Sequence, residues 1–356
     1  MVSVPDVTFE REVPDTYGNA HPKELLRQIN ENVDYLLPLS NQHILSIDQF
    51  ERETLLQLFR LAAKYEANPR RFNTPLQEKV LISAFYEPST RTRLSFESAW
   101  QRLGGGIISI TDRATTGIAK GESLADIGEM FNNYGDCVVL RDVRKESPYE
   151  MAGSLHIPII NAGNGIDEHP TQALADIYTI FKWRPSLVKQ DQSNEPPLRI
   201  GIIGVPSKMR TVRSLLKMMV KFPQVFNDIT LIHDGSTKDI FGERLRNQVE
   251  EAGIRVTETQ DLQSVVPSLD IVYINAIAWI KDTYESYGDS LKLDSKTPLK
   301  ESAIVLHPLA RGEELSTELD STQHNWYFAQ ARGAVFLRMA LLTCVVQRTE
   351  RVMDVI

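Results

Sequence analysis

Short apolar runs that alternate with stretches of helical period predict an α/β protein: two doubly wound parallel-sheet domains, with a C-terminal helix returning to the first. Three observations carry this. Val80 to Tyr86 is an apolar run closed by the Pro88 turn and followed by a helical pattern. Strand, loop and helix signals then repeat from Gly106 to Ile180, and a second such series runs from Leu198 to Ile274. The expected division is an N-terminal extension over 1–40, a first domain over 41–180, a second over 181–329, and a helix over 330–356 that rejoins the first.

Taken in order, Pro22 to Leu37 carries Leu25, Leu26, Ile29, Val33, Leu36 and Leu37 on one helical face. Ile47 to Tyr65 repeats the period, with Ser46 or Asp48 as its cap. After the Val80 strand, Phe96, Ala99, Trp100 and Leu103 mark a helix stopped by Gly104, Gly105 and Gly106. Ile107–Ile110, Cys137–Leu140 (ending on Arg141) and Ile157–Asn161 read as strands, with helices over Leu124–Tyr134 and Ser147–Ser154 between them. A further helix opens at His169-Pro170-Thr171-Gln172. Pro185 to Pro197 reads as an interdomain loop. Beyond it come strands at Leu198–Gly204, Ile229–His233 and Ile271–Ile274, helices over Thr211–Phe222 and Phe241–Ala252, and a long apolar helix over Gln330–Val346.

A chain of 356 residues with 42% apolar and 24% charged residues can bury a sizeable core. The net charge of −8, with no basic face interleaved with aromatics, argues against a nucleic-acid partner, so an anionic ligand must be met by local positive sites. Cys137 and Cys344 lack metal or redox spacing and read as buried thiols of a reducing compartment. No leader pattern and no stretch read as long and apolar enough to span a membrane appear, which gives the expectation of a cytoplasmic protein.

Ser89-Thr90-Arg91-Thr92-Arg93 falls at a strand-to-helix junction. The unpaired N–H groups and positive dipole end of the first turn would sit beside three hydroxyls and Arg91, a constellation suited to a phosphate. A capped helix with solvated arginines is the bland reading; five consecutive phosphate-compatible residues favour the anion site. His169 as a helix cap, Arg141 as a surface charge and Lys120 as a solvated loop residue have bland readings too. Gly201 to Gly204 lacks dinucleotide-loop spacing.

Phe85 to Leu94, Lys120-Gly121-Glu122, Arg141, His169-Pro170-Thr171-Gln172 and His307-Pro308-Leu309-Ala310-Arg311 together resemble, in this order, the signatures of the aspartate and ornithine carbamoyltransferases. The resemblance covers about Asn41 to Arg348, and the His-Pro-Leu form with Arg338-Met339-Ala340-Leu341-Leu342 is nearer the aspartate branch. It implies transfer of a carbamoyl group from carbamoyl phosphate to an amine, with Arg91, Thr92, Arg141, His169 and Lys120 as catalytic residues. Ser89, Thr90, Arg91, Thr92, Thr116, Lys120, Arg141, His169, Gln172, Pro308 and Leu309 would bind carbamoyl phosphate, with Lys120 supplied by a neighbouring subunit of a homotrimer. Hydroxyls, helix-terminal amides and arginines suit the dianionic leaving group, and a donor from His169, Thr92 or Arg141 suits the developing oxyanion. The phosphate can take the amine proton, so no cofactor, metal or covalent nucleophile is required.

The acceptor side departs from the aspartate branch. Ala276 and Ala278 stand where its members carry an Arg and a Gln that hold the aspartate side chain. Losing that clamp should cost on the order of 3 kcal/mol of recognition. Arg184, Asn275, Ala276, Ala278, Trp279 and Arg311 are the acceptor-side candidates, with Arg184 placed against the α-carboxylate. Ala310 replaces a proline, so the loop is expected to be reshaped or strained. The expected activity is carbamoyl transfer to an amine, an amino acid or its relative, other than aspartate. One alternative is an aspartate carbamoyltransferase in which Lys281, Lys208 or Arg184 replaces the clamp; another is a silent paralogue acting as a binding or assembly subunit.

Overall fold

The computed structural model describes residues 20–68, 74–192, 196–242, 244–275, 279–280, 283–284 and 291–349. Its first half holds α1 (Pro22–Gln28), α2 (Arg52–Ala67), β1 (Val80–Phe85), α3 (Thr90–Arg102), β2 (Gly106–Ile110) and α4 (Leu124–Tyr134). It continues through β3 (Cys137–Asp142), α5 (Ser147–Ala152), β4 (Ile159–Asn164) and α6 (Pro170–Trp183). The second half holds β5 (Arg199–Ile203), α7 (Arg210–Met219), β6 (Asp228–Ile232), α8 (Leu245–Glu251), β7 (Arg255–Thr259) and α9 (Leu262–Val265). After these come β8 (Ile271–Ile274), the short pair β9 (Trp279–Ile280) and β10 (Thr283–Tyr284), β11 (Ile304–Leu306) and α10 (Tyr327–Val345).

Two parallel sheets result, in the orders β2-β1-β3-β4 and β11-β8-β5-β6-β7. The central strands of each are covered on both faces, and the period-2 alternation of strand side chains shows how. Leu81, Phe85, Cys137 and Val139 enter one large core, while Ile82, Ala84, Val138 and Leu140 turn to a second core with Leu124, Phe131 and Met151. In the other sheet, Ile200, Ile202, Ile271 and Tyr273 join the same large core, and Ile203, Val272 and Ile274 face a third. One apolar layer therefore runs between the sheets, containing α2, α6, α7 and α10.

α10 packs against α2, α6 and α3, the return to the first domain that the sequence predicts. By length and a mean hydropathy of 1.3 it would pass as a membrane span, which corrects the expectation that no stretch would. Among its neighbours it is a core helix, 78% buried. The predicted Pro22–Leu37 helix stops at Gln28. The Asn32 side chain accepts from Asp34 N–H, and Gln57 accepts from Asn32 N–H and donates to Asn30 carbonyl, so polar groups draw the backbone out of the helix. Ile47–Gln49 is one 3-10 turn, capped by Ser46, and α2 begins only at Arg52. The sequence reading omits β7, an exposed edge strand with a polar pattern, and the short β11.

Phe181 of α6 meets Phe59 of α2 edge-on at 5.7 Å and Phe222, just past α7, at 5.1 Å. This cluster joins the helices of both sheets. Phe181→Ala is expected to lower unfolding stability by about 3–5 kcal/mol in urea denaturation; a loss below about 1 kcal/mol would show that the layer carries little of the stability.

Candidate active site

The strands' carboxyl ends turn toward one cleft of about 610 Å³. β1 delivers Glu87 to Thr92, β3 delivers Arg141, and the β4–α6 connection delivers Gly165, Ile166, His169 and Gln172. From the other sheet come Lys208 to Thr211 after β5, Asn275 after β8, and Pro308 to Ala310 after β11. In the orders above, strands on either side of β1/β3 and of β5/β8 run their connections in opposite directions, so both switch points open on the cleft.

At the first-sheet end, Ser89 is the N-cap of α3 and makes no capping hydrogen bond with its side chain. The first-turn N–H groups and the hydroxyls of Ser89, Thr90 and Thr92 are thus left for a ligand. Arg91 shares this wall; Arg93 turns away and pairs with Glu97 at 3.5 Å. Arg141 donates from Nη1 to the Ala162 carbonyl at 3.2 Å and from Nη2 to Glu87 at 2.7 Å, while its Nε has no protein partner. Burial, with Arg210 beside it, draws the Arg141 guanidinium down to about 10 even though Glu87 opposes this.

His169 is the N-cap of α6, with Pro170 at the first helical position where a missing N–H costs nothing. Its backbone N–H donates to Ser214 Oγ at 2.9 Å, and its buried Nδ1 has no partner among the described residues. Burial, together with Arg141, Arg210 and Arg338, holds the imidazole well below its usual pKa. This favours the neutral ring, in which one nitrogen carries a proton and can donate.

Glu87 joins the two ends. Besides Arg141, it accepts from Arg210 Nη2 at 2.7 Å and Nη1 at 3.0 Å, and Arg210 Nη1 also donates to the Gly165 carbonyl at 2.6 Å. Burial alone would raise the Glu87 carboxyl, but the hydrogen bonds and charges of Arg210 and Arg141 hold it below its usual value.

The loop after β11 carries the expected distortion. All peptide bonds of the described residues are trans, and Leu309 has φ 49°, a left-handed conformation that costs a branched residue about 1–3 kcal/mol. Leu309 N–H donates to His307 Nδ1 at 2.7 Å, and His307 Nε2 donates to Glu314 at 2.9 Å, which fixes the neutral tautomer.

Of the sequence candidates, the cleft gathers Ser89, Thr90, Arg91, Thr92, Arg141, His169, Gln172, Asn275, Pro308 and Leu309. Arg184 does not belong. It ends α6, about 20 Å along the helix from His169, and stacks over Trp183 at 4.5 Å. Arg311 is likewise diverted, to Asp320 at 2.5 and 2.8 Å. Thr116 and Lys120 lie on a segment of 3-10 turns outside their own chain's cleft, and Thr116 borders a separate hollow of about 420 Å³. Ala276, Ala278 and Lys281 lie outside the described residues, and Trp279 belongs to β9. Sequence reasoning gave no role to Glu87 or Arg210. For Arg210 a signal existed: Arg210-Thr211 closes the turn after β5 as Ser89–Thr92 closes that after β1.

The model of the aspartate/ornithine carbamoyltransferase carbamoyl-P binding domain matches residues 42–182, and that of the Asp/Orn binding domain matches 197–345. The chain belongs to the aspartate/ornithine carbamoyltransferase family. Its relatives on the aspartate branch include the aspartate carbamoyltransferase catalytic subunits of Alkaliphilus oremlandii, 33% identical over 88% of this chain and 93% of the relative, and of Vibrio campbellii, 35% identical over 87% and 98%. The aspartate transcarbamoylase of Trypanosoma cruzi, solved with carbamoyl phosphate and aspartate, superposes with a TM-score of 0.75 at 31% identity, covering 87% of this chain and 98% of that one. This carbamoyltransferase-family chain therefore has both α/β domains, and the paired ends of its cleft fall one in each family-matched region.

The Glu87 linkage has a defined pH sign. Its folded pKa lies below the ordinary 4.5, so the stability from its pairing is fully present above that value and is lost as pH falls through the folded one. Glu87→Gln is expected to cost about 2–4 kcal/mol near pH 7, with the gap to wild type narrowing by pH 3 in denaturant titrations. A gap independent of pH would contradict the charge pairing.

Proposed function

We propose that the protein transfers the carbamoyl group of carbamoyl phosphate to the amine of an amino acid, and that the amino acid is not aspartate. The reading rests on one observation: the α3 opening, Arg141 and the His169 ring nitrogen without a partner among the described residues line a cleft that Arg210 enters from the second sheet. Ser89, Thr90, Arg91, Thr92 and Arg141 would hold the phosphate. The acceptor's nitrogen lone pair attacks the carbonyl carbon, and the neutral His169, with Thr92 or Arg141, stabilises the oxygen as it gains charge. The carbon–oxygen bond to phosphate then breaks with its electron pair, and the phosphate carries off the amine proton. Pro308 and Leu309 border the carbamoyl end, and Arg210 takes the place given to Arg184 as the carboxylate binder.

Absence of the side-chain clamp at Ala276 and Ala278 supports an acceptor other than aspartate. A second reading, aspartate itself, is favoured by Lys208, which lines the cleft, whose side chain makes no hydrogen bond or salt bridge with a described residue, and which would meet a second carboxylate. The T. cruzi enzyme, with aspartate in its solved complex, supports that reading too. Lys120 and Thr116, outside their own cleft, fit supply to a neighbouring subunit of a homotrimer.

Phosphate release from carbamoyl phosphate is expected to rise with one member of an amino-acid panel above the level seen with aspartate; no rise with any amine would remove the enzyme reading, and aspartate as the best acceptor would favour the second. Arg91→Ala should lower turnover at least about 10²-fold with the fold intact by circular dichroism, and undiminished turnover would exclude its phosphate role. Mixing Lys120→Ala with Arg91→Ala subunits should restore activity in hybrid oligomers, whereas hybrids as inactive as either parent would place Lys120 outside the shared site.

A further inference from the structure

Asp176 is fully buried one turn beyond Gln172 on α6, and nothing in the reaction above uses it. Its Oδ1 accepts from Gln172 Nε2 at 2.7 Å and from Gln330 Nε2 of α10 at 2.5 Å, and its Oδ2 accepts from the Tyr273 hydroxyl of β8 at 3.2 Å. Gln330 passes the connection on: its Oε1 accepts the His307 N–H at 2.9 Å, at the root of the loop that brings Pro308 and Leu309 to the cleft.

We infer that Asp176 is a positioning residue for carbamoyl transfer, setting the orientation of the Gln172 amide in the donor site and tying that amide to the His307–Leu309 loop. Oδ1 accepts from both amides, so both glutamines must present nitrogen to it, and a proton on the carboxyl would sit on Oδ2 toward the Tyr273 hydroxyl. For Gln172 this leaves the carbonyl oxygen as the amide end facing away from Asp176, an acceptor for the carbamoyl NH₂ group. For Gln330 it leaves the oxygen to hold His307. The two residues that would flank the carbamoyl group, Gln172 from the first sheet and Pro308 from the second, are thereby referenced to one carboxylate. Tyr273 adds β8, whose end carries Asn275 into the same cleft. Burial pushes the Asp176 carboxyl up to about 7 against hydrogen bonds from Gln172, Gln330 and Tyr273. An apolar side chain would fill this place in the layer between the sheets without that penalty.

The inference rests on the proposed donor site, and calorimetric titration with carbamoyl phosphate in the absence of any amine separates the two. Failure of turnover in the wild type counts against the proposed function, whereas the ratio of Kd values between variant and wild type bears on Asp176. Asp176→Asn can keep an oxygen on both amides and turn its NH₂ to Tyr273; Asp176→Leu releases both amides. Asp176→Leu is expected to raise the Kd at least about tenfold, and Asp176→Asn by less than about threefold. Gln330→Met, which leaves Asp176 on Gln172 but cuts its tie to His307, should raise the Kd by an intermediate factor. In steady state, the KM for carbamoyl phosphate should rise more than that for the acceptor. Wild-type Kd in a folded Asp176→Leu protein would overturn the inference. If that variant does not fold, wild-type Kd in Gln330→Met overturns it, and a raised Kd there supports it. No binding of carbamoyl phosphate to the wild type would also overturn it.

Discussion

A cleft lined by Arg91, Arg141 and Arg210 in a chain of net charge −8 concentrates positive charge locally, and Glu87 makes that concentration tolerable. Without it, Arg141 and Arg210 would sit side by side in the cleft with Arg91 nearby, each partly stripped of water. One carboxylate between two guanidiniums offsets the repulsion, and because the arginines come from different sheets it also sets the distance between them. The remaining features follow: a neutral His169 in a cationic surround, a Ser89 hydroxyl left uncommitted at the α3 opening, and an Arg210 side chain already drawn into the site. A bound dianion would change this balance, since Arg141 would then have two negative partners.

The first-sheet wall of the cleft was legible in the sequence because it is local. Ser89 to Thr92 follow one another along one turn, and strand, turn and helix signals around them agree. Arg141 and His169 are single residues, yet each sits at a strand end or helix opening that the apolar pattern locates. The second-sheet wall is assembled from separate loops after β5, β8 and β11, and no short stretch states its geometry. Arg184 is the instructive error: it lies near the domain junction in sequence, but the helix before it carries it to the wrong end of α6. Arg210 instead opens α7 just past β5, the second sheet's counterpart of the Ser89–Thr92 junction. Arg311 misled for another reason, since a cation beside a family motif finds Asp320 before any substrate. β7 escaped because an edge strand in contact with water need not be apolar.

Ala310 shows how one substitution is absorbed without losing the loop. Where a proline would restrict the backbone by its ring, here the turn depends on hydrogen bonds: Leu309 N–H to His307, and His307 to Glu314. Gly312 N–H adds to this by donating to Glu314 at 2.7 Å. The strain at Leu309 is thus held by a buried polar chain rather than by covalent constraint, and that chain connects through Gln330 to the layer between the sheets.

The placement of α10 has a consequence for synthesis. The helix that completes the packing of α2, α3 and α6 is translated after every other described helix, although those partners belong to the first half of the described elements. Until Val345 has emerged, the first sheet's apolar layer must stay exposed or find a temporary cover, and its closure requires contacts across nearly the full sequence. The half of the protein that is easiest to read from its residues is therefore among the last to be finished by the ribosome.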